Sequence, residues 1–292
     1  MKAFLFPGQG AQFAGMGQDL YETNEHIKDI FEQANNILGF NISEVMFGSD
    51  AEALKRTDIT QPAIFIHSYA KYTTLASDLF SDMSAGHSLG EFSALTCAGG
   101  LSFEDGLKLV AHRAAAMEEA CKANPGTMAA IIGLGDDVIE DICNDISETV
   151  VPANYNSPGQ LVISGSLKGI ELACAQCLSA GAVKAIVLPV GGAFHSPLME
   201  HAKIKLESII MATKFSSPKI PIYQNSDALP SIEVDIIRQK LVDQLTAPVR
   251  WTQTMRNMIA DGMTSAIEIG GSGSVLRGLL RKIDRTIEST TA

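Results

Sequence analysis

The sequence predicts an α/β protein in which helices cover a mostly parallel sheet and a smaller α/β unit is inserted into the chain. Two observations indicate this class. Residues 1–123 and 191–292 alternate short apolar strands with longer helical patterns, the order that builds a parallel sheet. Between them, proline and glycine at 124–126 and 189–192 separate off a stretch of shorter elements. With 292 residues, 46% of them apolar, the chain has enough material for two buried cores.

The inserted unit, residues 124–190, shows the element order β-α-β-β-α-β. Apolar alternation and helical periodicity predict, in turn, a strand at 127–133, a helix at 136–147, strands at 149–154 and 160–165, a helix at 168–180 and a strand at 183–188. This order is typical of a ferredoxin-like subdomain. Residues 1–123 and 191–292 then form one discontinuous large domain around it.

The same reasoning gives the elements of the large domain. They are a strand at 2–6, helices within 16–38, a strand at 82–86, helices at 89–98 and 103–122, strands at 220–224 and 264–269, and a last helix whose apolar face runs from Leu276 to Ile287. Because short strands alternate with longer helices, we expect the helices to cover the sheet.

A G-x-S-x-G motif at Gly86–Gly90 follows the predicted strand at 82–86 and precedes an apolar helix. The glycines leave room for a sharp turn from strand to helix, which holds Ser88 in a strained conformation at the helix N-terminus. There the free N–H groups, that of Leu89 first, favour a developing oxyanion. The motif predicts a serine nucleophile, although a glycine-rich turn with a capping serine has the same pattern.

A serine nucleophile needs a histidine within hydrogen-bond reach, and the chain has six histidines. His195 follows the Gly191–Gly192 pair and precedes Ser196-Pro197, which is a good start for a helix. Because loops at strand ends carry the chemistry in such folds, we favour His195 as the base. The alternatives lie in helical patterns, in an apolar stretch or beside the serine: His26, His67, His87, His112 and His201.

The second oxyanion donor is expected from a loop after another strand. Gln9 lies between Gly8 and Gly10, directly after the predicted strand at 2–6. The two glycines let the backbone approach a ligand closely. A plain tight turn after the first strand has the same sequence.

The predicted helix at 103–122 places an arginine on its apolar face. At about 100° per residue, Arg113 lies among Leu109, Val110 and Met117, opposite the polar face. A guanidinium does not lose its proton, so it needs an anion or a route to water. An internal salt bridge or a side chain that reaches the surface explains the arginine, and so does a clamp for a substrate carboxylate. Together with a serine nucleophile, the clamp indicates acyl transfer from a dicarboxylic half-thioester.

Charge and composition argue against several classes of function. Lys and Arg number 22 against 33 Asp and Glu, and the net charge of −11 disfavours a nucleic-acid-binding face. The five cysteines indicate free thiols in a reducing compartment. Met1–Phe6 show no signal-peptide pattern, and no run reaches the ~18 apolar residues of a membrane span. We therefore expect a cytoplasmic protein that binds neither nucleic acid nor membrane.

Taken together, these residues resemble the malonyl-CoA:acyl carrier protein transacylases of fatty acid and polyketide synthesis. The matching motifs run along nearly the whole chain: FPGQGAQ at 6–12, QPAIF at 61–65, GHSLGEFSAL at 86–95, HR at 112–113, MAAIIGL at 128–134, NYNSPGQLVISG at 154–165, AFHS at 193–196 and APVRW at 247–251. The resemblance implies an α/β-hydrolase-like large domain with an inserted ferredoxin-like subdomain, in agreement with the element order.

The resemblance also implies roles for single residues. Ser88 would attack the malonyl thioester of coenzyme A, with His195 as the base and then the acid. The backbone N–H groups of Gln9 and Leu89 would hold the oxyanion. Arg113 would bind the free malonyl carboxylate.

The implied reaction is a ping-pong transfer of malonyl from malonyl-CoA, through a malonyl-Ser88 intermediate, to the phosphopantetheine thiol of acyl carrier protein. No bound cofactor or metal is implied, and we expect a monomer that meets an acidic carrier protein transiently. The AFHS tetrapeptide around His195 resembles the version that selects malonyl over methylmalonyl. The backbone carbonyl of Arg250 would orient the histidine, so that the pair would have no carboxylate partner.

Several alternatives stay open. Fatty acid biosynthesis is the expected pathway, but a polyketide-synthase acyltransferase that acts in trans has the same motifs. A serine thioesterase or other hydrolase shares the nucleophile elbow, the strand-to-helix turn that carries Ser88, but does not explain the arginine. A non-enzymatic scaffold would not need the complete residue set.

Two further patterns have a plain interpretation and a functional one. Arg277, Arg281 and Arg285 recur every four residues along the predicted last helix, as a solvated face or as a docking surface for the carrier protein. Cys174 and Cys177 have C-x-x-C spacing but lie in a predicted helix without a second pair, so we expect no metal there.

Overall fold

In the computed structural model, which describes residues 1–75 and 79–292, ten strands form two separate sheets. The first part of the chain holds β1 (Lys2–Phe6), α1 (Gln18–Thr23), α2 (Glu25–Leu38), α3 (Ile42–Phe47), α4 (Thr57–Thr73), β2 (Met83–Gly86), α5 (Gly90–Cys97) and α6 (Phe103–Ala123). The middle part holds β3 (Gly126–Ile132), α7 (Asp136–Asp145), β4 (Val150–Ser157), β5 (Gln160–Ser166), α8 (Leu167–Ser179) and β6 (Lys184–Val187). The last part holds α9 (Glu200–Ala212), β7 (Ile222–Tyr223), β8 (Pro230–Ser231), α10 (Val234–Asp243), α11 (Trp251–Ala260), β9 (Ser265–Glu268), α12 (Val275–Ile283) and β10 (Glu288–Thr291).

The larger sheet has the strand order β10-β9-β1-β2-β7-β8, and every neighbouring pair is parallel except β7 and β8. Its central strands β1 and β2 are in register, with Phe6 opposite Gly86 at their carboxyl ends. The loops that follow these two strands therefore start side by side at one edge of the sheet. This is where parallel α/β sheets place their ligand sites.

Apolar side chains cover both faces of this sheet. One core cluster packs α2, α4, α5, α6 and α9 against β1, and includes Phe6, Phe65 and Phe92. The other cluster packs α11 and α12 against the opposite face of β1, β2 and β9. Helices on both faces therefore bury β1 and β2, the strands from which the loops of the site begin.

The smaller sheet is antiparallel, with the strand order β4-β5-β3-β6. Together with α7 and α8 it forms the β-α-β-β-α-β arrangement that the sequence predicts. Its own core lies between the sheet and these two helices. The fold class of a mostly parallel sheet with a separate antiparallel unit is thus confirmed, while the boundaries 1–123, 124–190 and 191–292 stay predictions.

The two units are joined next to the end of β4. The Val249 N–H donates to the Ala153 carbonyl at 2.8 Å, and the Tyr155 N–H donates to the Val249 carbonyl at 2.9 Å. Because β4 is an edge strand of its sheet, these backbone hydrogen bonds satisfy groups that it would otherwise leave open. They also fix the position of Asn156, near the end of β4, relative to the large sheet.

The helices expected within 16–38 are two, because Asn24 is extended and its side chain accepts the N–H groups of His26 and Ile27 as a new N-cap. One helical prediction needs correction. The last helix does not continue to Ile287 but ends at Ile283. There Asp284 leaves the helical conformation and its carboxylate accepts the Thr286 N–H at 2.8 Å.

The five cysteines carry free thiols, as the sequence predicts. In the part of the chain that the structure describes, no group of three or more His, Cys, Asp or Glu side chains is arranged to hold a metal ion. Over the same residues, no helix is long and apolar enough to cross a membrane.

Candidate active site

The turn between β2 and α5 holds Ser88 in a left-handed conformation, with a φ of 50°. Only glycine fits two residues before it, at position 86, and two residues after it, at position 90. A Cβ atom at Gly86 would lie 1.9 Å from the Gly90 carbonyl carbon, and one at Gly90 would lie 2.0 Å from the Phe6 carbonyl oxygen. The predicted strand-turn-helix context of the G-x-S-x-G motif is therefore present, and it presents the Ser88 hydroxyl at the start of α5.

Asn225, which is distant in the sequence, stabilises this turn through its side chain. The Asn225 side chain accepts the Ser88 N–H at 2.6 Å and donates to the Gly86 carbonyl at 2.7 Å. Asn225 is fully buried just after β7. The sequence alone did not indicate this contact, because the two residues are 137 positions apart.

His195 lies within hydrogen-bond distance of the serine. Its Nε2 is 2.8 Å from Ser88 Oγ, and its Nδ1 is 2.8 Å from the Gln244 carbonyl oxygen. Because a carbonyl only accepts, Nδ1 carries the proton and Nε2 is left to accept from the Ser88 hydroxyl. Burial, and then the nearby charge of Arg113, lowers the pKa of His195 to about 3. The imidazole is therefore neutral at neutral pH, with Nε2 unprotonated.

The expected role of the Arg250 carbonyl is wrong in this structure, because that group is used elsewhere. Arg250 is the N-cap of α11, and its carbonyl accepts the Thr254 N–H at 2.8 Å and the Thr254 hydroxyl at 2.9 Å. The carbonyl that faces His195 belongs to Gln244, six residues earlier. The inference that the histidine is oriented by a backbone carbonyl holds, but the residue differs.

The loop before His195 explains why the histidine lies where it does. His195 is itself left-handed, with a φ of 57°. Gly192 packs so closely against α6 that a Cβ atom there would lie 2.0 Å from Cys121 Sγ. After the histidine, the Ser196 hydroxyl caps a short 3₁₀ turn by accepting the Leu198 N–H at 3.3 Å. The Gly-Gly pair and the Ser-Pro start were the sequence signals for this position.

Arg113 is buried, with 1% of its surface exposed, and it points at the serine. Its guanidinium donates to Gln61 Oε1 at 2.6 Å, to Ser88 Oγ at 3.0 Å and to Gln244 Oε1 at 3.1 Å. None of the carboxylates that the structure describes forms an ion pair with it. Neither an internal salt bridge nor exposure to water therefore accounts for this arginine.

The charge of Arg113 persists in spite of its burial. Burial lowers the pKa of Arg113 to about 10, and the negative charge of Glu91 opposes that shift. The guanidinium thus stays protonated at neutral pH. A guanidinium offers five N–H donors, and three of them are used here, so that two remain for an anion.

These side chains line one small cavity of ≈ 100 Å³. Its polar wall comes from Ser88, Arg113 and His195, and its apolar wall comes from Met117, Met128, Leu188, Val190 and Phe194. Sites for drug-sized ligands span about 300–1,000 Å³, and the size of this cavity suits a small acyl group. A negative end of that group would meet the guanidinium.

The two residues expected to supply the oxyanion donors, Gln9 and Leu89, also line this cavity. Neither of their backbone N–H groups donates to an acceptor within the described residues. The loop that carries Gln9 packs tightly on the elbow, since a Cβ atom at Gly8 would lie 2.4 Å from the His87 carbonyl oxygen. Two free donors beside a nucleophile are the arrangement that stabilises a tetrahedral intermediate.

The other five histidines lie away from the serine hydroxyl. His67 is buried in α4, where its Nδ1 accepts the Gly271 N–H at 3.0 Å, and burial lowers its pKa to about 4. His87 turns to Asn156, 2.8 Å from its Nε2. The remaining three are exposed on helices: His26, His112 and His201.

The expected arginine stripe on the last helix is not a single stripe. Because α12 ends at Ile283, Arg285 lies beyond the helix. Arg281 is exposed, whereas Arg277 is partly buried at the helix start, where its N–H donates to Glu268 at 2.9 Å. Two of the three cations, Arg281 and Arg285, therefore remain available to a partner.

Residues 3–291 match the protein family described as acyl transferase domain. A malonyl CoA-acyl carrier protein transacylase of Bacillus subtilis is 42% identical over 291 residues, which covers 98% of this chain and 92% of that protein. The solved malonyl CoA-acyl carrier protein transacylase of Coxiella burnetii aligns with a TM-score of 0.95 at 37% identity, over 99% of this chain and 93% of that one. A solved complex of a type II polyketide-synthase acyl-carrier protein with its malonyl-transacylase aligns with a TM-score of 0.96 at 36% identity, over 100% of this chain and 95% of that one.

Proposed function

Since this chain belongs to the acyl transferase domain family, we propose that it transfers a malonyl group from malonyl-CoA to the phosphopantetheine thiol of acyl carrier protein through a malonyl-Ser88 intermediate. One observation carries the choice of substrate. Arg113 brings a buried positive charge, without a carboxylate partner among the described residues, to 3.0 Å from the nucleophile. An acyl group that ends in a carboxylate completes this site.

In the first half-reaction, Ser88 Oγ attacks the thioester carbonyl and its proton passes to His195 Nε2. The negative oxygen of the tetrahedral intermediate lies against the N–H groups of Gln9 and Leu89. When the carbon-sulfur bond breaks, the coenzyme A thiolate takes the proton from His195. The product is a malonyl ester on Ser88 and free coenzyme A.

Binding of the substrate carboxylate to Arg113 also makes His195 a stronger base. The charge of Arg113 is the second cause of the lowered pKa of His195, after burial. A carboxylate bound to Arg113 offsets that charge, so the pKa of His195 rises when malonyl is in place. An acyl group without a carboxylate leaves the imidazole a weaker base, and this favours malonyl over acetyl.

In the second half-reaction, the phosphopantetheine thiol gives its proton to His195 and attacks the malonyl ester. The ester carbon-oxygen bond breaks, and the Ser88 oxygen takes back the proton from His195. Because one histidine serves both directions, each half-reaction returns the site to its starting state. The Gln244 carbonyl holds the Nδ1 proton throughout, at 2.8 Å in the resting site.

The chain supplies the nucleophile, the base and the anion site from its own residues, so we propose that the transfer needs no bound cofactor. We propose fatty acid biosynthesis as the pathway, with a polyketide carrier protein as the alternative acceptor. A cytoplasmic location agrees with the five free thiols. A monomer that meets the carrier protein only transiently agrees with a ping-pong reaction.

Intact-protein mass spectrometry tests this function. Mixing the chain with malonyl-CoA is expected to add one malonyl group to Ser88, and adding holo acyl carrier protein is expected to move that group to the carrier. Ser88→Ala is expected to form no adduct. Rapid release of free malonate without an adduct would instead identify a hydrolase.

The same assay separates the two carriers. Equal amounts of a fatty acid carrier protein and a polyketide carrier protein compete for the malonyl enzyme. Preferential loading of the fatty acid carrier supports the proposed pathway, and preferential loading of the other contradicts it.

A further inference from the structure

Glu91, in the first turn of α5, is a buried carboxylate beneath Ser88 that the proposed reaction does not touch. It is 1% exposed. Its Oε2 accepts the Asn225 N–H at 2.8 Å and the Gln244 side-chain amide at 3.0 Å, and its Oε1 accepts the Gln224 side-chain amide at 3.3 Å. It does not line the cavity described above, so it does not face the substrate.

Gln244 connects this carboxylate to the reacting groups. Its side-chain Nε2 donates to the Ser88 carbonyl at 3.0 Å as well as to Glu91, and its Oε1 accepts from Arg113 at 3.1 Å. Its own backbone carbonyl accepts from His195 Nδ1 at 2.8 Å. A single residue therefore contacts the nucleophile residue, the base and the anion site.

The orientation of the Gln244 amide has two choices, because a flip exchanges its oxygen and its nitrogen. On one side Arg113 only donates, and on the other side the Ser88 carbonyl and an ionised Glu91 only accept. Only one orientation satisfies all three neighbours, and Glu91 strengthens the preference for it. In the flipped amide, NH₂ would face the guanidinium and the oxygen would face the carboxylate, and both contacts would be repulsive.

Burial of an ionised glutamate at this position costs free energy of desolvation, which a neutral residue avoids. Burial raises the pKa of Glu91 to about 7, against the opposing effect of the N–H donors from Asn225, Gln244 and Gln224 and of the charge on Arg113. A glutamine would keep an acceptor for Asn225, but its own amide would present a donor as readily as an acceptor to Gln244. In its ionised form, a carboxylate presents only acceptors to Gln244.

We propose that the Glu91 carboxylate is a positioning residue: it holds the Gln244 amide so that Arg113, Ser88 and His195 keep their mutual arrangement. This role rests on the proposed malonyl transfer. The negative charge also acts as the counter-charge of the guanidinium until the substrate carboxylate arrives. Malonyl-CoA that binds to a misoriented site then reacts slowly even though it is held.

The test uses Glu91→Gln, which keeps the shape of the side chain and removes its charge. Glu268→Gln is the matched control, because Glu268 is also fully buried, has a pKa raised by burial and accepts backbone N–H groups, at the start of α12. Single-turnover acylation of Ser88 by malonyl-CoA gives the rate constant at saturation and the apparent Kd separately. Circular dichroism and thermal unfolding monitor the fold of each variant.

We expect Glu91→Gln to lower the saturating rate constant by about 10-fold or more, with the apparent Kd for malonyl-CoA changed less than about 3-fold. Glu268→Gln is expected to react at the wild-type rate. Because Glu91 acts through Gln244, the double variant Glu91→Gln/Gln244→Ala is expected to match Gln244→Ala within about 2-fold. This lack of additivity separates positioning through Gln244 from a general loss of stability.

Two results would overturn the role of Glu91. One is a wild-type acylation rate in Glu91→Gln, and the other is a double variant in which the two losses multiply. Failure of the wild-type chain itself to form malonyl-Ser88 would instead refute the proposed function, so the two failures are distinguishable in one experiment.

Discussion

Arg113 contacts the nucleophile directly in the resting site, at 3.0 Å from Ser88 Oγ. The same guanidinium is thus the proposed anchor for the substrate carboxylate, a hydrogen-bond donor to the attacking oxygen and one cause of the lowered pKa of His195. A substrate without a carboxylate brings no negative charge to the guanidinium. We therefore propose that selectivity for malonyl acts on the reactivity of the base as well as on binding.

Arg113→Ala is expected to lower kcat/KM for malonyl-CoA by about 100-fold or more, because it removes a desolvated ion pair. Acetyl-CoA loading is expected to be spared or improved, since the pKa of His195 rises when the cation is gone. Mass spectrometry of Ser88 acylation with both thioesters measures the two effects.

A matched control for this substitution is Arg238→Ala, because Arg238 is a partly buried arginine that donates to the Thr213 carbonyl, outside the cavity. Both thioesters are expected to react normally with it. Equal losses of malonyl and acetyl loading in Arg113→Ala would remove the carboxylate-binding role.

His67 gives the protein a specific sensitivity to acid. Its folded-state pKa of about 4 lies below the ordinary value of 6.5, so its contribution to stability is present above pH 6.5 and is lost as the pH falls toward 4. The whole shift corresponds to about 3 kcal/mol. His67→Gln keeps an acceptor for the Gly271 N–H and does not titrate.

Urea unfolding at pH 7 and at pH 4.5 checks this effect. The loss of unfolding free energy between the two pH values is expected to be smaller in His67→Gln than in the wild type by about 2 kcal/mol. His112→Gln, on the exposed face of α6, is expected to behave like the wild type. Identical pH dependence in all three proteins would show that His67 does not titrate on unfolding.

At the scale of the elements, the elbow between β2 and α5 depends on glycine at two positions. Gly90→Ala would bring a Cβ atom to 2.0 Å from the Phe6 carbonyl oxygen, so we expect it to abolish Ser88 acylation or to prevent folding. Gly278→Ala is the matched control in another helix, because a Cβ atom at Gly278 meets no atom within 4 Å. There we expect a gain of about 0.5–1 kcal/mol in unfolding free energy and full activity.

Thermal unfolding and acylation assays compare these two glycine variants. Both variants add one methyl group to a helical glycine, so a difference between them reports how tightly each glycine is packed. An active, stable Gly90→Ala protein would mean that β1 and the elbow are less tightly packed than described.

The elements with strong periodicity could be predicted from the sequence, whereas contacts between distant residues could not. The face of α6 that carries Arg113 and the strands β3–β6 follow from local patterns of apolar residues. Gln244 and Asn225 contact Ser88 across 156 and 137 positions, and no local pattern marks them. The carbonyl assigned to Arg250 was misplaced for this reason, since only the folded chain shows which turn faces the histidine.

At the scale of the whole molecule, a net charge of −11 has to be reconciled with two anionic partners, malonyl-CoA and an acidic carrier protein. A protein of this charge repels both at long range. Local cations such as Arg281 and Arg285 near the end of the chain are therefore proposed as a docking surface for the carrier. Lys282 beside them already binds Gln160 of the small unit, at 2.9 Å.

Arg281→Glu combined with Arg285→Glu is expected to raise KM for the carrier protein by about 5-fold at low salt, and less as salt screens the charges. Ser88 acylation by malonyl-CoA is expected to be unchanged. Reversal of two exposed lysines elsewhere, Lys28→Glu with Lys108→Glu, changes the net charge equally and controls for the general effect. Equal losses with malonyl-CoA and with the carrier would contradict a carrier-specific role.

Both Ser88 and His195 have left-handed backbone conformations, with φ of 50° and 57°. Each conformation costs about 1–2 kcal/mol for an L-residue, and only the surrounding packing maintains it. Mild denaturant is therefore expected to relax this pair before the sheets unfold, so that acylation is lost at a lower urea concentration than the circular dichroism signal. Coincident midpoints would contradict this order of events. With this order of events, catalytic activity would be the more sensitive measure of native structure in this protein, and a full helical signal would not guarantee a fully active sample.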